Sequence, residues 1–519
     1  MDEIATSSRP SVHRSDSTQS ALAQSWPPRD AQDAADSHDS LLYEAIPPHP
    51  LGVKPSGNAL TASSNLRAAV GSFTALSDEL IIMLLECLDA ASLLSLGATC
   101  KALYAFTHAE ELWKALFIEK SPKDFKWHGT WHSTYLNLPP SKVASPDCSH
   151  LFSDTLHRPF YCAHVSLSTY TKNIPARNQI PRLPDLTEAE FQQSWTNKPF
   201  ILTEPVKTWP VYRDWSTNLL LEKYGNVLFR AEAVDWPLKT YIDYMNNNTD
   251  ESPLYLFDRS FVEKMDLSTT TTTTTTENPP AFQPPPCFGT DLFSHLGPHR
   301  PDNRWLIIGP ARSGSTFHKD PNATSAWNAV LRGSKYWIMF PSNPSNNTLP
   351  PPPGVYVSAD QSEVTSPLSI AEWLLNFHAA ARRTPGCLEG ICGEGEVLHV
   401  PSGWWHLVVN LDKSMAITQN FVPERHLVGV LEFLKYKGEQ VSGFRGDLGG
   451  EEPFGMFVRR LREVEGGLVE RALGEMEGRR KRKWDEVVRG GDKGSGEGGV
   501  GGGGFSFGFG DDGSDVEVP

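Results

Sequence analysis

The sequence predicts a mainly β protein with flanking helices, in which one barrel-like β core occupies about residues 180–425. Two observations support this fold class. Short apolar stretches, such as residues 252–257 and 305–309, recur between proline and glycine residues across this range. Amphipathic helical spacing is instead concentrated at residues 73–120 and 426–475. Many short strands separated by turn residues are typical of closed β architectures, so we expect a small helical module in front of the barrel.

The chain begins with a segment of low apolar content. Residues 1–70 are rich in Ser, Ala, Asp and Pro without periodic apolar spacing, so they cannot bury enough surface to offset the entropy of ordering. We expect this segment to be disordered. Helical patterns start at residue 73, and Ser77 followed by Asp78 and Glu79 is an N-cap signal. The apolar positions of this first helix are predicted to share one face: Leu80, Leu84, Leu85 and Leu88.

Two segments of biased composition interrupt or follow the barrel. The threonine run at residues 269–276 and the prolines after it predict a flexible surface insertion at about residues 268–287. Beyond the helices expected at 426–475, residues 476–519 are predicted to form a disordered tail, because they are basic at 479–483, then glycine-rich and finally acidic. The basic group RRKRK fits either a nuclear-import signal or a solvated basic face. We expect a nuclear or nucleocytoplasmic protein.

The overall composition argues against several classes of protein. The chain has 47 Lys and Arg residues against 62 Asp and Glu residues, a formal net charge of −15, so we expect no direct nucleic-acid binding through a basic surface. Its seven cysteines contain no CxxC pair and suit a reducing compartment better than a disulfide scaffold. No stretch reaches the roughly 18 apolar residues of a membrane span. These features predict a soluble intracellular protein without a membrane segment.

Three residues have the chemistry and spacing of a metal site. His318 and Asp320 lie two positions apart, and a second apolar stretch supplies His406. Two neutral imidazoles and one carboxylate can occupy one face of a metal ion and leave positions open, as in non-haem Fe(II) oxygenases. Lys335 lies 15 residues beyond Asp320 in an apolar segment, where a buried ammonium would be costly unless it met an anion. The pattern predicts an enzyme.

Each of these residues also has an alternative role without catalysis. An HxD pair often occurs by chance, His406 can hydrogen-bond within a core, and Lys335 can be an edge residue whose ammonium reaches solvent. The same set of donors also suits zinc. Two further histidines are weaker candidates. His399 follows strand alternation and His378 lies in a helical stretch, so we expect both to pack rather than to bind metal.

Two long segments around these residues identify a family. RWLIIGPARSGSTFHKDPNATSAWNAVLRGSKYWIMFPS and GEVLHVPSGWWHLVVNLDKSMAITQNF closely resemble the JmjC domain of 2-oxoglutarate oxygenases, in the branch of lysyl hydroxylases and arginine demethylases once described as phosphatidylserine receptors. The upstream segments YIDYMNNNTDESPLYLFDRSF and DLFSHLG are similar to the same family. The resemblance covers about residues 180–425 and implies a double-stranded β-helix, the barrel of cupin and JmjC proteins.

The same resemblance implies the cofactors and the residues that hold them. Three residues would bind Fe(II) and leave a position open for O₂: His318, Asp320 and His406. Five would contact the co-substrate 2-oxoglutarate: Tyr255, Ser315, Asn328, Lys335 and Thr418. Within that group, Tyr255 and Ser315 would help Lys335 to hold the distal carboxylate. Asn410 and Asn420 are second-rank candidates. The implied reaction converts 2-oxoglutarate to succinate and CO₂ while it hydroxylates a lysine, or demethylates a methylated arginine or lysine, in a protein substrate.

The sequence departs from the family pattern at two positions. Ser315 stands where the family commonly has Thr, and Lys319 stands where it commonly has an apolar residue. Serine keeps the hydroxyl, and the side chain between two ligands points away from the metal, so neither change removes a required group. The insertion at residues 268–287 matters more for the substrate, because it could alter the substrate groove.

Residues 73–120 resemble an F-box on the segments ALSDELIIMLLECLDAASLLSLGATCKALYAF and ELWKALF. The resemblance implies binding to a Skp1-type adaptor of a cullin ubiquitin ligase, whereas the same helices could simply cap the oxygenase domain. The alternative function is therefore a ligase substrate adaptor whose JmjC domain binds without catalysis. The complete set of His318, Asp320 and His406 favours the enzyme, and one chain could combine hydroxylation with recruitment.

Overall fold

The computed structural model describes residues 46–267, 279–342, 349–358, 364–365 and 368–491, with side chains to residue 482. The helices are α1 (Asp78–Glu86), α2 (Ala90–Gly97), α3 (Lys101–Thr107), α4 (Glu110–Lys120), α5 (Trp131–Tyr135), α6 (Asp154–His164), α7 (Ser168–Thr171), α8 (Glu188–Glu190), α9 (Pro210–Asp214), α10 (Thr217–Tyr224), α11 (Leu238–Asn247), α12 (Phe261–Lys264), α13 (Ile370–Arg383), α14 (Leu427–Tyr436) and α15 (Pro453–Gly491). The strands are β1 (Arg182–Leu183), β2 (Phe200–Leu202), β3 (Leu228–Ala231), β4 (Val234–Pro237), β5 (Leu256–Asp258), β6 (Arg304–Gly309), β7 (Gly314–His318), β8 (Ser325–Arg332), β9 (Lys335–Phe340), β10 (Leu388–Cys392), β11 (Val397–Val400), β12 (Trp405–Asn410) and β13 (Ser414–Phe421).

The strands form two sheets that pack against each other. The larger sheet has the order β1-β2-β11-β8-β13-β6-β5-β3-β4, and the smaller has the order β10-β9-β12-β7. The chain alternates between the sheets at every strand from β6 to β9, and again from β10 to β13. Val330 and Leu398 of the larger sheet share a buried cluster with Trp337 and Met339 of the smaller one. This architecture is the predicted double-stranded β-helix with flanking helices.

The central strands of the larger sheet are buried on both faces. Every residue of β13 and all but Arg332 of β8 are buried. Ala326 and Val330 face the smaller sheet, whereas Trp327 and Ala329 belong to the main core on the outer side. A strand covered on both faces needs a nearly continuous apolar run, so the few polar residues within these strands stand out as candidates for function.

The N-terminal helices share a core with the barrel. Phe117 of α4 contacts Trp131 and Trp236, with ring centroids 5.5 and 6.1 Å apart, and all three belong to the same buried cluster as the outer side of the larger sheet. The helices therefore do cap the barrel. Packing in this shared core leaves some apolar side chains of these helices exposed.

Four large apolar side chains of the module remain exposed, and we call them the apolar ridge: Leu80, Met83, Leu84 and Leu94, which are 50%, 59%, 38% and 41% exposed. The prediction that Leu85 shares a face with Leu80 and Leu84 is wrong, because Leu85 is buried. A helix turns by about 100° per residue, which carries Leu85 away from Leu84 and into the core. Leu88 is half-buried. Three of the ridge side chains belong to α1 and the fourth, Leu94, belongs to α2.

Part of each predicted disordered end is folded. Residues 1–45 and 492–519 lie outside the described part of the chain. Val53 and Val70 are nevertheless buried in the main core, and α15 bends at Glu465 and continues to Gly491. The predictions of disorder for residues 1–70 and 476–519 are therefore wrong for 46–70 and 476–491. Composition averages over a window and does not detect single apolar anchors within a polar segment.

The predicted insertion divides in a similar way. Residues 268–278, which contain the threonine run, lie outside the described part of the chain. Phe282 and Cys287, however, are buried. Phe282 stacks on Phe261 with ring centroids 5.8 Å apart, and the Ala281 carbonyl accepts a hydrogen bond of 3.1 Å from the Val211 amide. The prediction of a flexible surface segment is therefore wrong for residues 279–287, which cover the core.

The C-terminal helices form a hydrophobic cluster of their own. Helices α14 and α15 lie where C-terminal helices were expected and pack in a separate cluster with residues of the segment before β6, including Leu292 and Phe293.

Within the described ranges, no single helix has the length and hydropathy of a membrane span. One bent pair, Leu66–Ala75 with Asp78–Glu86, passes that test only when the two are joined across an angle of 73°. All seven cysteines are free thiols.

Candidate active site

The three predicted metal ligands meet at one end of the smaller sheet. His318 ends β7 and pairs directly with His406 of β12 across the sheet, so the two ring centroids are only 4.1 Å apart. Asp320 follows as the chain leaves β7. The ligand atoms of the three side chains all lie within 4.8 Å of one another, and this is the only such group of His, Cys, Asp or Glu residues found in the described part of the chain.

Backbone carbonyls fix the protonation of both imidazoles. The Nδ1 atom of His318 lies 2.8 Å from the Thr316 carbonyl, and Nδ1 of His406 lies 3.0 Å from the Trp404 carbonyl. A carbonyl only accepts, so each Nδ1 carries the proton and each Nε2 keeps its lone pair for a ligand. Burial lowers the pKa of His406 to about 4 and also lowers the pKa of His318. Both rings are therefore neutral and ready to coordinate a metal.

The third predicted ligand, Asp320, has a buried oxygen without a partner in the described part of the chain. Oδ2 of Asp320 is buried and has no hydrogen-bond partner among the residues described. Burial raises the pKa of Asp320, and a hydrogen bond from Asn420 opposes that effect. A buried carboxylate oxygen without a partner is costly, and a divalent cation would remove the cost. Two neutral imidazoles and this carboxylate fit Fe(II) in a facial arrangement, although zinc accepts the same donors.

Lys335, at the start of β9, is the second unusual group. Its side chain is fully buried, and Nζ donates to Tyr255 Oη at 2.6 Å and to Asn410 Oδ1 at 2.8 Å. No carboxylate in the described ranges forms an ion pair with it. Burial lowers the pKa of Lys335 to about 7. A bound carboxylate would supply the missing counter-charge, as the predicted contact with 2-oxoglutarate requires.

Asn328 and Thr418 lie opposite each other on β8 and β13, on the face of the larger sheet that packs against the smaller one. Thr418 Oγ1 donates to the Trp327 carbonyl at 2.8 Å, whereas Asn328 Oδ1 is buried with no hydrogen-bond partner among the described residues. Ser315 is half-buried and pairs with Val408 in the smaller sheet. In the part of the chain that the structure covers, no hydrogen bond joins Ser315 to Lys335.

The structure also places the weaker candidates. Asn410 is a direct partner of Lys335, and its Nδ2 donates to Ser313 Oγ at 2.9 Å. The sequence did not single out Ser313, because the contact joins positions 97 residues apart. His399 packs 4.9 Å from the Phe200 ring, and His378 bonds to Tyr336 Oη at 2.9 Å. These two histidines therefore pack in the core as expected, away from the cluster of three ligands.

A cleft of about 380 Å³ reaches His318, one of the three predicted metal ligands, and it is lined by Glu232, Ser252, Pro253, Arg312, Ser313, Gly314, Ser315, Thr316, His318 and Ile370. Lys319 lies above the ring of Trp405, with Nζ 4.4 Å from its centroid. Its side chain therefore packs beside the ligands without being one of them. The sequence did not identify Glu232 as part of the site, because it belongs to a hairpin remote from the metal motifs.

Comparison with known proteins supports the same interpretation. A model of the cupin-like domain matches residues 187–426, and a model of the F-box-like domain matches residues 78–119. The arginine-specific demethylase JMJ22 of Arabidopsis thaliana is 39% identical over 78% of this chain and 79% of that protein. The bifunctional arginine demethylase and lysyl-hydroxylase psr-1 of Caenorhabditis elegans is 33% identical over 49% of this chain and 64% of its own.

A more distant relative is the 2-oxoglutarate and iron-dependent oxygenase JMJD4 of Homo sapiens, which is 31% identical over 28% of this chain and 34% of that protein. Iron, 2-oxoglutarate and O₂ are thus the norm among these relatives. The similarity to JMJ22 extends beyond the barrel to most of both chains. Together with the ligand geometry, these matches show that the chain belongs to the cupin-like JmjC oxygenases and carries an F-box-like domain in front of the oxygenase core.

Proposed function

We propose that this chain is an Fe(II)- and 2-oxoglutarate-dependent oxygenase that hydroxylates a lysine, or demethylates a methylated arginine or lysine, of a protein substrate. One observation carries the proposal: the same barrel contains two buried polar groups that each lack a hydrogen-bond partner or a counter-charge in the described part of the chain. Asp320 has a buried oxygen without a hydrogen bond, and Lys335 has a buried ammonium without an ion pair, among the residues described. A divalent cation would bind the Asp320 carboxylate, and a carboxylate co-substrate would pair with the Lys335 ammonium.

The chain's own residues would bind and orient the reactants. When bound, iron and 2-oxoglutarate would supply the activation of O₂ and the oxidation of a substrate C–H bond, with release of succinate and CO₂. Lys335 would donate to the distal carboxylate of 2-oxoglutarate, while Tyr255 and Asn410 hold its ammonium in place. Buried Trp337, with its ring 6.0 Å from that of His406, helps to exclude water from the site.

Anaerobic titration with Fe(II) and 2-oxoglutarate tests the cofactors, and admission of O₂ with lysine or methyl-arginine peptides tests the reaction. We expect 2-oxoglutarate to bind only with a divalent ion present, and succinate to form with a peptide that gains one oxygen or loses one methyl group. Zinc binding without uptake of 2-oxoglutarate would refute the proposal. Peptide binding without succinate would instead support the alternative, a substrate adaptor with a non-catalytic JmjC domain.

We further propose that the F-box-like module recruits a Skp1-type adaptor of a cullin ubiquitin ligase. The exposure of Leu80, Met83 and Leu84 supports this partner, because they lie three and four positions apart on α1 and so share one face, and an exposed apolar face marks a site of protein association. The shared core of Phe117, Trp131 and Trp236 supports the capping role at the same time. Purification of the full chain with a Skp1-type protein tests recruitment, and absence of a stable complex would leave capping as the module's only role.

A nuclear or nucleocytoplasmic location is the last part of the proposal. The basic group at residues 479–483 supports it, although Arg479 already forms ion pairs with Glu475 at 2.7 Å and Glu432 at 3.7 Å. A fluorescent fusion of the full chain, compared with a variant in which the basic group is neutralised, tests the import role. Equal nuclear signal in both proteins would show that these residues are simply a solvated face.

A further inference from the structure

The cleft beside the metal ligands contains a single carboxylate among its lining residues, that of Glu232. This residue lies in the two-residue turn that joins β3 and β4, where Ala231 pairs with Val234. Ala231 also pairs with Leu256 of β5, so the turn lies beside the chain segment that carries Tyr255. Its side chain is exposed to the cleft that His318 also lines.

The backbone of Glu232 is strained. Its φ angle is +49°, in the left-handed region that residues other than glycine rarely adopt. Residues with a Cβ are held in this region only when the surrounding structure enforces it, and such strain is concentrated at functional sites. An Asn or Gly would satisfy the turn more easily. The turn therefore presents a carboxylate to the cleft at a conformational cost.

Glu232 accepts a backbone hydrogen bond but forms no ion pair among the described residues. Oε1 accepts the Tyr255 amide at 3.1 Å, and no Lys or Arg within the described ranges forms an ion pair with Glu232. Lys114, whose charge acts on Glu232, is directed to the Ser252 carbonyl at 3.4 Å and to Asp250 at 4.0 Å. Arg312, also in the cleft wall, donates to the carbonyls of Cys162 and Val165.

We propose that Glu232 binds the positive charge of the substrate side chain, either a lysine ammonium or a methylated guanidinium, and thereby selects basic side chains for this oxygenase. The inference rests on the proposed function and names the group that recognises its substrate. The cleft volume of about 380 Å³ lies within the range of small-molecule sites. A carboxylate forms a stronger hydrogen bond with a cationic side chain than a neutral acceptor does.

The test uses the full chain loaded with Mn(II) and 2-oxoglutarate, and short glycine-flanked peptides that carry lysine or monomethylarginine. Matched peptides carry norleucine or citrulline, which keep most of the side-chain length and remove the charge. Paramagnetic broadening of side-chain protons reports insertion next to the metal, and titration gives Kd. We expect the basic peptides to bind about 10- to 100-fold more tightly than the neutral ones, the range of a charge-assisted hydrogen bond.

The variant Glu232→Gln keeps an acceptor for the Tyr255 amide and removes the charge. We expect it to weaken the basic peptides to the level of the neutral ones, with the neutral peptides unaffected. The control Asp235→Asn removes a carboxylate of the same hairpin that is paired with Arg230 at 2.8 Å, and it should keep the preference. The affinity of each variant for 2-oxoglutarate shows that the barrel is folded.

Two kinds of failure are distinguishable. Loss of Mn(II) or 2-oxoglutarate binding in the wild-type chain would count against the proposed function itself. Normal binding of both, combined with equal Kd values for basic and neutral peptides, would overturn the role of Glu232. The wild-type peptide comparison requires no substitution, so equal Kd values would overturn the role even when Glu232→Gln does not fold. A preference that survives in Glu232→Gln would also overturn the role.

Discussion

The barrel site and the apolar ridge both contain side chains in unfavourable surroundings, but of opposite kinds. In the barrel, buried polar atoms lack partners: Asp320 Oδ2 has no hydrogen bond and Lys335 has no ion pair among the described residues. On the ridge, apolar side chains such as Leu80 and Met83 lie in water at 50% and 59% exposure. The first arrangement predicts a small polar ligand, and the second predicts a macromolecule.

The difference also predicts how each region responds to substitution. Burial in the barrel makes each polar contact strong and specific, because water does not compete for it. The ridge draws on buried apolar area, which is less directional and is spread over several side chains. A change in the barrel should therefore affect the ligand that the altered residue contacts, and loss of the metal should abolish 2-oxoglutarate binding as well. A change on the ridge should affect only partner binding, provided that the shared core around Phe117 remains intact.

The largest effect is expected from Asp320→Ala. Removal of the carboxylate leaves two imidazoles, so we expect loss of metal binding and of detectable succinate formation. The melting temperature of the metal-free protein should change little, because an open site contributes to ligand binding rather than to folding. The parallel variant His318→Ala should behave in the same way. Succinate formation at the wild-type rate in either variant would contradict the metal assignment.

The next effect concerns the apolar ridge, through the double change Leu80→Asp and Leu84→Asp. We expect capture of a Skp1-type adaptor to weaken by at least about 100-fold, as is usual when two anchors of an interface are lost. Succinate formation should not change. Val464→Asp is the matched control, since Val464 is a helix residue that is 59% exposed elsewhere in the chain. Loss of adaptor capture in the control would show that the effect is not specific to the ridge. Loss of succinate formation in the ridge variant would show that the ridge and the barrel are not independent.

Lys335→Met separates co-substrate binding from metal binding inside the barrel. The change keeps much of the volume and removes the ammonium, so we expect the Kd for 2-oxoglutarate to rise by about 10- to 100-fold. Metal affinity measured without 2-oxoglutarate should stay close to that of the wild type. An unchanged Kd for 2-oxoglutarate would mean that another cation holds the distal carboxylate.

The smallest effect is a pH dependence that arises from Lys335. Its pKa is lowered from 10.5 to about 7 in the folded protein without ligand, so the unfolded chain binds more protons between these values. The free energy of unfolding should therefore rise as the pH increases from about 7 to about 10. Lys335→Met should lack this contribution. Urea denaturation at pH 7 and pH 9.5 measures it, and parallel slopes in both proteins would contradict the burial of a lysine with a lowered pKa.

The sequence anticipated the residues whose chemistry is encoded locally. His318 and Asp320 are separated by one residue at the end of a strand, and that spacing alone brings both toward one point. His406 and Lys335 lie in apolar strands where a polar side chain is conspicuous. The resemblance to JmjC proteins supplied Asn328 and Thr418, which face each other across β8 and β13. The barrel and its flanking helices followed from the alternation of short strands with turns.

The sequence by itself therefore determined the type of fold, the set of candidate metal ligands and the presence of a helical module, because these depend on residue type and on spacing along the chain. Only the tertiary structure decided which atoms meet: Tyr255 and Lys335 are 80 residues apart yet hydrogen-bonded, and Glu232 enters the cleft through the pairing of β3 with β5. It also decided that Leu84 is exposed while Leu85 is buried. Such contacts depend on strand register and on which face of each element is covered, and both are set by packing between distant segments.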